Sequence, residues 1–169
     1  DAAIASAENL FKEGDYETSI AGFKSAQAIN PSENYPKTRI AEIEKLITER
    51  TSRKEAYAIA IKNGDQSLGE KKYDPALSHY RNALSLLPGE EYPKQKIEEI
   101  TALVATQKLL DENYKKSIAE ADKQFTAKLF AEAILVYTKA LELKPDETYP
   151  QQKISEAQNQ LDLLKGKDE

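Results

Sequence analysis

The sequence predicts an all-α fold made of three tandem repeats, and three observations carry that prediction. A pattern recurs at 57 residues without insertion: Tyr35-Pro36 returns as Tyr92-Pro93 and Tyr149-Pro150, and Pro31 returns as Pro88 and Pro145. All thirteen aromatic residues sit at equivalent positions of the copies, as in Tyr16/Tyr73/Phe130 and Phe23/Tyr80/Tyr137. Within each copy, apolar residues recur in steps of three and four, which is the helical period.

Each copy divides into three segments. The first, Ala2 to Glu13, places Ile4, Ala7 and Phe11 on one face and stops at Gly14-Asp15. Its counterparts carry Ile61, Gly64 and Leu68, then Ile118, Ala121 and Phe125. The second segment starts near Tyr16, aligns Ile20, Phe23 and Ala26, and ends before Pro31. In the middle copy it is expected to open with Asp74 as N-cap and Pro75 in the first turn. The third segment is expected to begin after Tyr35, with Pro36 in its first turn and Ile40, Ile43 and Ile47 on one face.

Neither Gly nor Pro interrupts the chain from Lys37 to Asn63, or from Lys94 past Phe125. The third segment is therefore expected to run on into the first segment of the next copy, as one helix of about 35 residues and about 50 Å. The middle of its apolar seam is polar in both copies, at Arg50/Lys54 and Gln107/Asp111. The expectation is a helix supported at both ends and wet in the middle, with a bend at those positions as the competing reading. The Tyr-Pro pairs fit two roles. Tyrosine anchors interfaces, but recurrence in all three copies favours a structural one, with proline fixing the turn and tyrosine folding back on the preceding hairpin.

Composition narrows the function. Charged residues are 31% of the 169, the mean hydropathy is −0.67 and the net charge is −5. An acidic chain with interspersed Lys and Arg is a poor match to nucleic acid, which needs a basic face. No run approaches the roughly 18 apolar residues that insert into a bilayer. The absence of cysteine excludes disulfides, thiolate metal sites and thiol catalysis. The chain opens on Asp1 and has no methionine, so a segment of a longer protein is expected, and compartment stays open on these grounds.

Chemistry-bearing clusters are sparse. The single histidine, His79, is matched by Gly22 and Val136 in the other copies and reads as an ordinary surface or helix-packing residue. Glu90-Glu91 reads as a solvated loop, and adjacent Glu98-Glu99 point apart on a helix, unlike an acid–base pair. No enzyme activity, cofactor or metal is expected.

The two-segment part of each copy resembles the tetratricopeptide repeat family. Ala121, Phe125, Phe130, Ala133, Tyr137, Ala140 and Pro145 follow that family's order of small, aromatic and proline positions. The middle copy matches through Gly64, Tyr73, Ala76, Tyr80, Ala83 and Pro88, and the first departs mildly with Ala7 and Ser19. The resemblance covers about 34 residues of each copy and implies one α-solenoid array of repeats at approximately 1–57, 58–114 and 115–169, each a hairpin plus an added helix. It further implies a protein or peptide partner on a concave face lined by first helices. The residues so placed are Ile4, Glu8, Phe11 and Lys12, then Ile61, Asp65, Leu68 and Gly69, then Ile118, Asp122, Phe125 and Thr126. The acids Glu8, Asp65 and Asp122 suit a basic or mixed peptide, or equally serve local hydrogen bonds. They make the face a poor match to chaperone-tail carboxylates.

The run Pro88-Gly-Glu-Glu-Tyr92-Pro-Lys-Gln-Lys96-Ile97-Glu-Glu-Ile100 also resembles repeats of Bacteroidetes cell-envelope proteins, in which such repeats join a β-propeller and an OmpA-like domain. Some of those proteins belong to secretion machinery, and the resemblance implies a periplasmic or envelope setting and a scaffold or spacer role.

Overall fold

Left-handed residues follow the first segment of every copy and mark where its helix ends. Gly14, Lys71 and Lys128 have φ of 85°, 58° and 61°. Each closes a Schellman motif: the Gly14 amide donates to the Phe11 carbonyl and the Asp15 amide to that of Leu10, both at 3.0 Å. The same pair of bonds recurs from Lys71 to Leu68 and Lys72 to Ser67, and from Lys128 to Phe125 and Leu129 to Gln124. Only glycine adopts this conformation without a Cβ penalty. Lys71→Gly and Lys128→Gly are therefore expected to stabilise their hairpins by roughly 0.5 kcal/mol each, the left-handed relief exceeding the added freedom of the unfolded chain. Thermal melts followed by circular dichroism check this, and a lowered midpoint in both variants would contradict it.

The computed structural model describes residues 2–165. These form seven α-helices and no strand: α1 (Ala2–Glu13), α2 (Tyr16–Ile29), α3 (Asn34–Gly69), α4 (Tyr73–Leu86), α5 (Glu91–Thr126), α6 (Phe130–Leu143) and α7 (Thr148–Lys165). The fold class is the expected one, all-α with helices adjacent in sequence packing on each other, as in α1 on α2, α2 on α3, α3 on α4 and α6 on α7. The chain falls into two compact units, Asp1–Ile97 and Glu98–Glu169, with the division inside α5.

The long helices are unbroken. Both α3 and α5 run for 36 residues, so the added segment of one copy and the first segment of the next are a single helix. Two boundaries differ from the sequence expectation. The helix carrying Tyr35 starts at Asn34, which puts Tyr35 and Pro36 together inside the first turn. In α4 the N-cap is Lys72, without a side-chain cap bond, and Asp74 lies within the first turn. The left-handed Lys71 brings the chain into the helix earlier than the Asp-Pro signature suggests. From inside the first turn Asp74 still meets the positive end of the helix. Asp15 is a capping residue: the Thr18 amide donates to its Oδ1 at 3.2 Å.

In the first unit Ala7, Phe23 and Ile43 are fully buried, with Ile4, Phe11, Tyr16, Ile20, Ile40 and Ile47 packed against them. In the second unit Ala121, Ala133 and Tyr137 form the equivalent centre, flanked by Ile118, Phe125, Val136 and Ile154. Small residues let the paired helices approach closely. A Cβ at Gly64 would stand 2.8 Å from the Tyr80 ring, and one at Gly22 would stand 3.0 Å from the Ala7 Cβ. Ser19, which replaces alanine in the first copy, is fully buried, and its hydroxyl donates to the Ala7 carbonyl at 2.8 Å.

Candidate functional site

The Tyr-Pro pair of each copy locks a hairpin. Pro36, Pro93 and Pro150 are fully buried, whereas their tyrosines are partly exposed. Each tyrosine ring stands edge-on to the aromatic of the second helix: Tyr35 to Phe23, Tyr92 to Tyr80, and Tyr149 to Tyr137, with centroids 6.3, 6.3 and 6.4 Å apart. Each hydroxyl then donates to the first-helix acid, Tyr35 to Glu8 at 2.7 Å, Tyr92 to Asp65 at 2.8 Å and Tyr149 to Asp122 at 2.8 Å. The acids proposed from sequence for a partner face are thus engaged inside their own hairpins.

A second donor reaches every one of these acids, and its identity changes with the copy. Tyr80 donates to Asp65 at 2.6 Å and Tyr137 donates to Asp122. Phe23 has no hydroxyl to offer. There the acid is the longer Glu8, held by Arg39 through Nε at 2.7 Å and a second nitrogen at 3.1 Å. The guanidinium also lies 4.6 Å above the Phe11 ring, as Lys153 lies 4.8 Å from Phe125. The Arg39 hydrogen bonds hold the Glu8 carboxyl below the usual glutamate range. Burial first, and then the nearby carboxylate, pushes the Tyr80 and Tyr137 phenols well above their ordinary value.

The other residues of the expected face are distributed as follows. Phe11 and Phe125 are half-buried core members, and Leu68 is half-buried. Lys12 and Thr126 are exposed, the Thr126 hydroxyl donating to its own helix at the Asp122 carbonyl. Of the proposed set, Lys12 alone presents an exposed charge that makes no hydrogen bond or ion pair among the described residues.

An open hollow lies elsewhere in the first unit, at the polar middle of α3. It encloses about 800 Å³ and is walled by Arg50, Arg53 and Lys54, with Tyr16, Leu46 and Leu87 as its less polar surfaces. A smaller space of about 360 Å³ adjoins it at Gly14 and Ile47 and shares Tyr16, Arg50 and Lys54. Arg50, Arg53 and Lys54 are exposed and lie along one stripe of α3, and their side chains make no ion pair or hydrogen bond among the described residues. Glu49 and Glu90 also border the hollow.

The second unit fills the same place in its repeat differently. Lys144, at the position of Leu87, forms an ion pair of 2.7 Å with Asp111, at the position of Lys54. Gln107 donates to the same Asp111 at 3.1 Å, and Lys144 lies 5.1 Å from the Tyr114 ring. The Lys144 bond holds the Asp111 carboxyl below its ordinary range. A neighbouring stretch of α5 instead leaves Leu103 and Leu109 about half exposed. Sequence reading registered the polar seam but not the hollow. The available signal was the exchange of Lys54/Leu87 for Asp111/Lys144 between copies.

Among the described residues, no group of three or more His, Cys, Asp or Glu is placed to hold a metal ion. Among the same residues, no helix is long and apolar enough to cross a membrane. The fold and these sites define a repeat array of packed helical hairpins. No family model matches the chain, and no curated protein matches it.

Proposed function

We propose that the repeats are of the tetratricopeptide type and that the chain is a non-catalytic scaffold for a protein partner, in a cell-envelope assembly. The carrying observation is how the first unit uses its charges. Glu8 and Asp65 are absorbed by tyrosine and arginine inside the hairpins, while three cations of α3 line an open hollow without internal partners. The equivalent place in the second unit is closed by its own charges, where Lys144 meets Asp111, and in the first unit it is left open. Docking is accordingly placed at the middle of α3, and the first-helix acids are assigned to the hairpins.

A photo-crosslinking amino acid at Arg53 tests this, with Lys12 as the second position. The expected outcome is a discrete adduct with one protein from position 53 and little from position 12. An adduct from position 12 alone would return the site to the first-helix face. Adducts from neither would remove the scaffold reading. A second reading, a spacer without a ligand of its own, draws support from the two unbroken 36-residue helices, each about 54 Å long.

A further inference from the structure

The hollow in the first unit carries a more specific inference, which rests on the scaffold reading above. We propose that it is a docking site for an acidic peptide segment of a partner protein. The segment would place carboxylates on Arg50, Arg53 and Lys54 and an apolar side chain against Leu46 and Leu87.

Three observations point the same way. The cations occur at i, i+3 and i+4 on α3, so a single extended segment along the helix meets all of them. None has a carboxylate partner among the described residues, although Glu49 and Glu90 stand at the rim. The second unit supplies an internal control. There the position of Lys54 is an acid and that of Leu87 is a lysine, and the two close on each other at 2.7 Å. The repeat can therefore neutralise this place with its own residues, and the first unit does not.

The surroundings select among anions. Glu49 and Glu90 at the rim and a net charge of −5 repel a polyanion of dense, uniform charge. Carboxylates spaced by other residues are able to sit over the cations and away from those acids. Leu46, 37% exposed, and Leu87 offer apolar contact that a nucleic-acid backbone would not use. The volume of about 800 Å³ admits a short stretch of side chains. The guanidinium groups bind carboxylates through paired donors, which sets orientation as well as charge.

The test uses the whole 169-residue chain and three fluorescein-labelled peptides of equal length. One alternates glutamate with leucine and phenylalanine. The others replace every glutamate by glutamine or by lysine. Anisotropy titrations are expected to show binding of the acidic peptide only, weakened roughly tenfold on moving from low to physiological salt. The double variant Lys54→Asp with Leu87→Lys installs the ion pair of the second unit. It is expected to keep the wild-type thermal midpoint and to weaken the acidic peptide by roughly tenfold or more. Arg50→Gln with Arg53→Gln supplies a second variant that removes charge without adding any.

Equal binding of all three peptides, or wild-type affinity in both folded variants, would overturn the cation assignment and leave the scaffold reading standing. No binding of the acidic peptide at millimolar concentration would also overturn it, whatever the crosslinking experiment gives. A single-stranded oligonucleotide run alongside must bind more weakly than the acidic peptide, and the reverse order would overturn the assignment to a protein segment.

Discussion

Tyr80→Ala is expected to destabilise the first unit by about 4 kcal/mol, the largest effect among the substitutions considered. Tyr80 is fully buried, and its ring fills the space that Gly64 leaves open, edge-on to Tyr92. Truncation removes that packing, opens a cavity beside Gly64, and deprives Asp65 of one of its two donors. Tyr80→Phe separates the terms. It keeps the ring and loses only the hydroxyl, for which about 1 kcal/mol is expected. The first copy suggests a repair, since Phe23 there is accompanied by Glu8 and Arg39. Adding Asp65→Glu and Lys96→Arg to Tyr80→Phe should recover part of the loss. Urea denaturation followed by circular dichroism measures all three. Amide exchange in α3 and α4 localises the effect, because repeat arrays need not unfold in one step. A Tyr80→Ala loss below that of Tyr80→Phe would refute the packing account.

Arg39→Leu is expected to cost about 2 kcal/mol at neutral pH, because it removes the countercharge of a partly buried carboxylate and leaves it the Tyr35 hydroxyl. Arg39 and Glu8 are only 17% and 23% exposed, which keeps the pair from being an ordinary surface contact. The pH dependence follows from the direction of the shift. The Arg39 hydrogen bonds lower the folded-state value of Glu8 below that of the unfolded chain, about 4.3. The unfolded state therefore takes up a proton first as pH falls. The contribution of Glu8 is complete above the unfolded value and is lost as pH drops through the folded one. Wild type should lose stability in that acid window more steeply than Arg39→Leu or Glu8→Gln. Denaturation midpoints collected from neutral pH down to the acid range check this. Parallel curves for wild type and Glu8→Gln would assign the acid sensitivity to other carboxylates.

Helix positions were largely legible because they depend on local chemistry. Gly14-Asp15, Pro31 and the Tyr-Pro pairs punctuate the chain, and the absence of breakers from Lys37 to Asn63 foretold the unbroken α3. Asp74 shows where local reading fell short. It looked like an N-cap, but the left-handed Lys71 had already fixed where α4 begins. The left-handed positions were signalled only by Gly14, since nothing in a lysine announces positive φ.

The candidate site was less legible. Glu8, Asp65 and Asp122 were correctly paired with one another by the period, yet their partners come from 27 residues further along, at Tyr35, Tyr92 and Tyr149. Spacing states which residues share a helix face, not which hydroxyl reaches that face from another helix. The sequence by itself determined three helical repeats, their fusion into long helices and the small and aromatic positions that let hairpins pack, all consequences of period and backbone preference. Only the tertiary structure decided that the acids serve the hairpins while Arg50, Arg53 and Lys54 face an open hollow. The reason is that a charge is free or engaged according to what lies within about 3 Å in space, which depends on how the helices cross and not on their order along the chain.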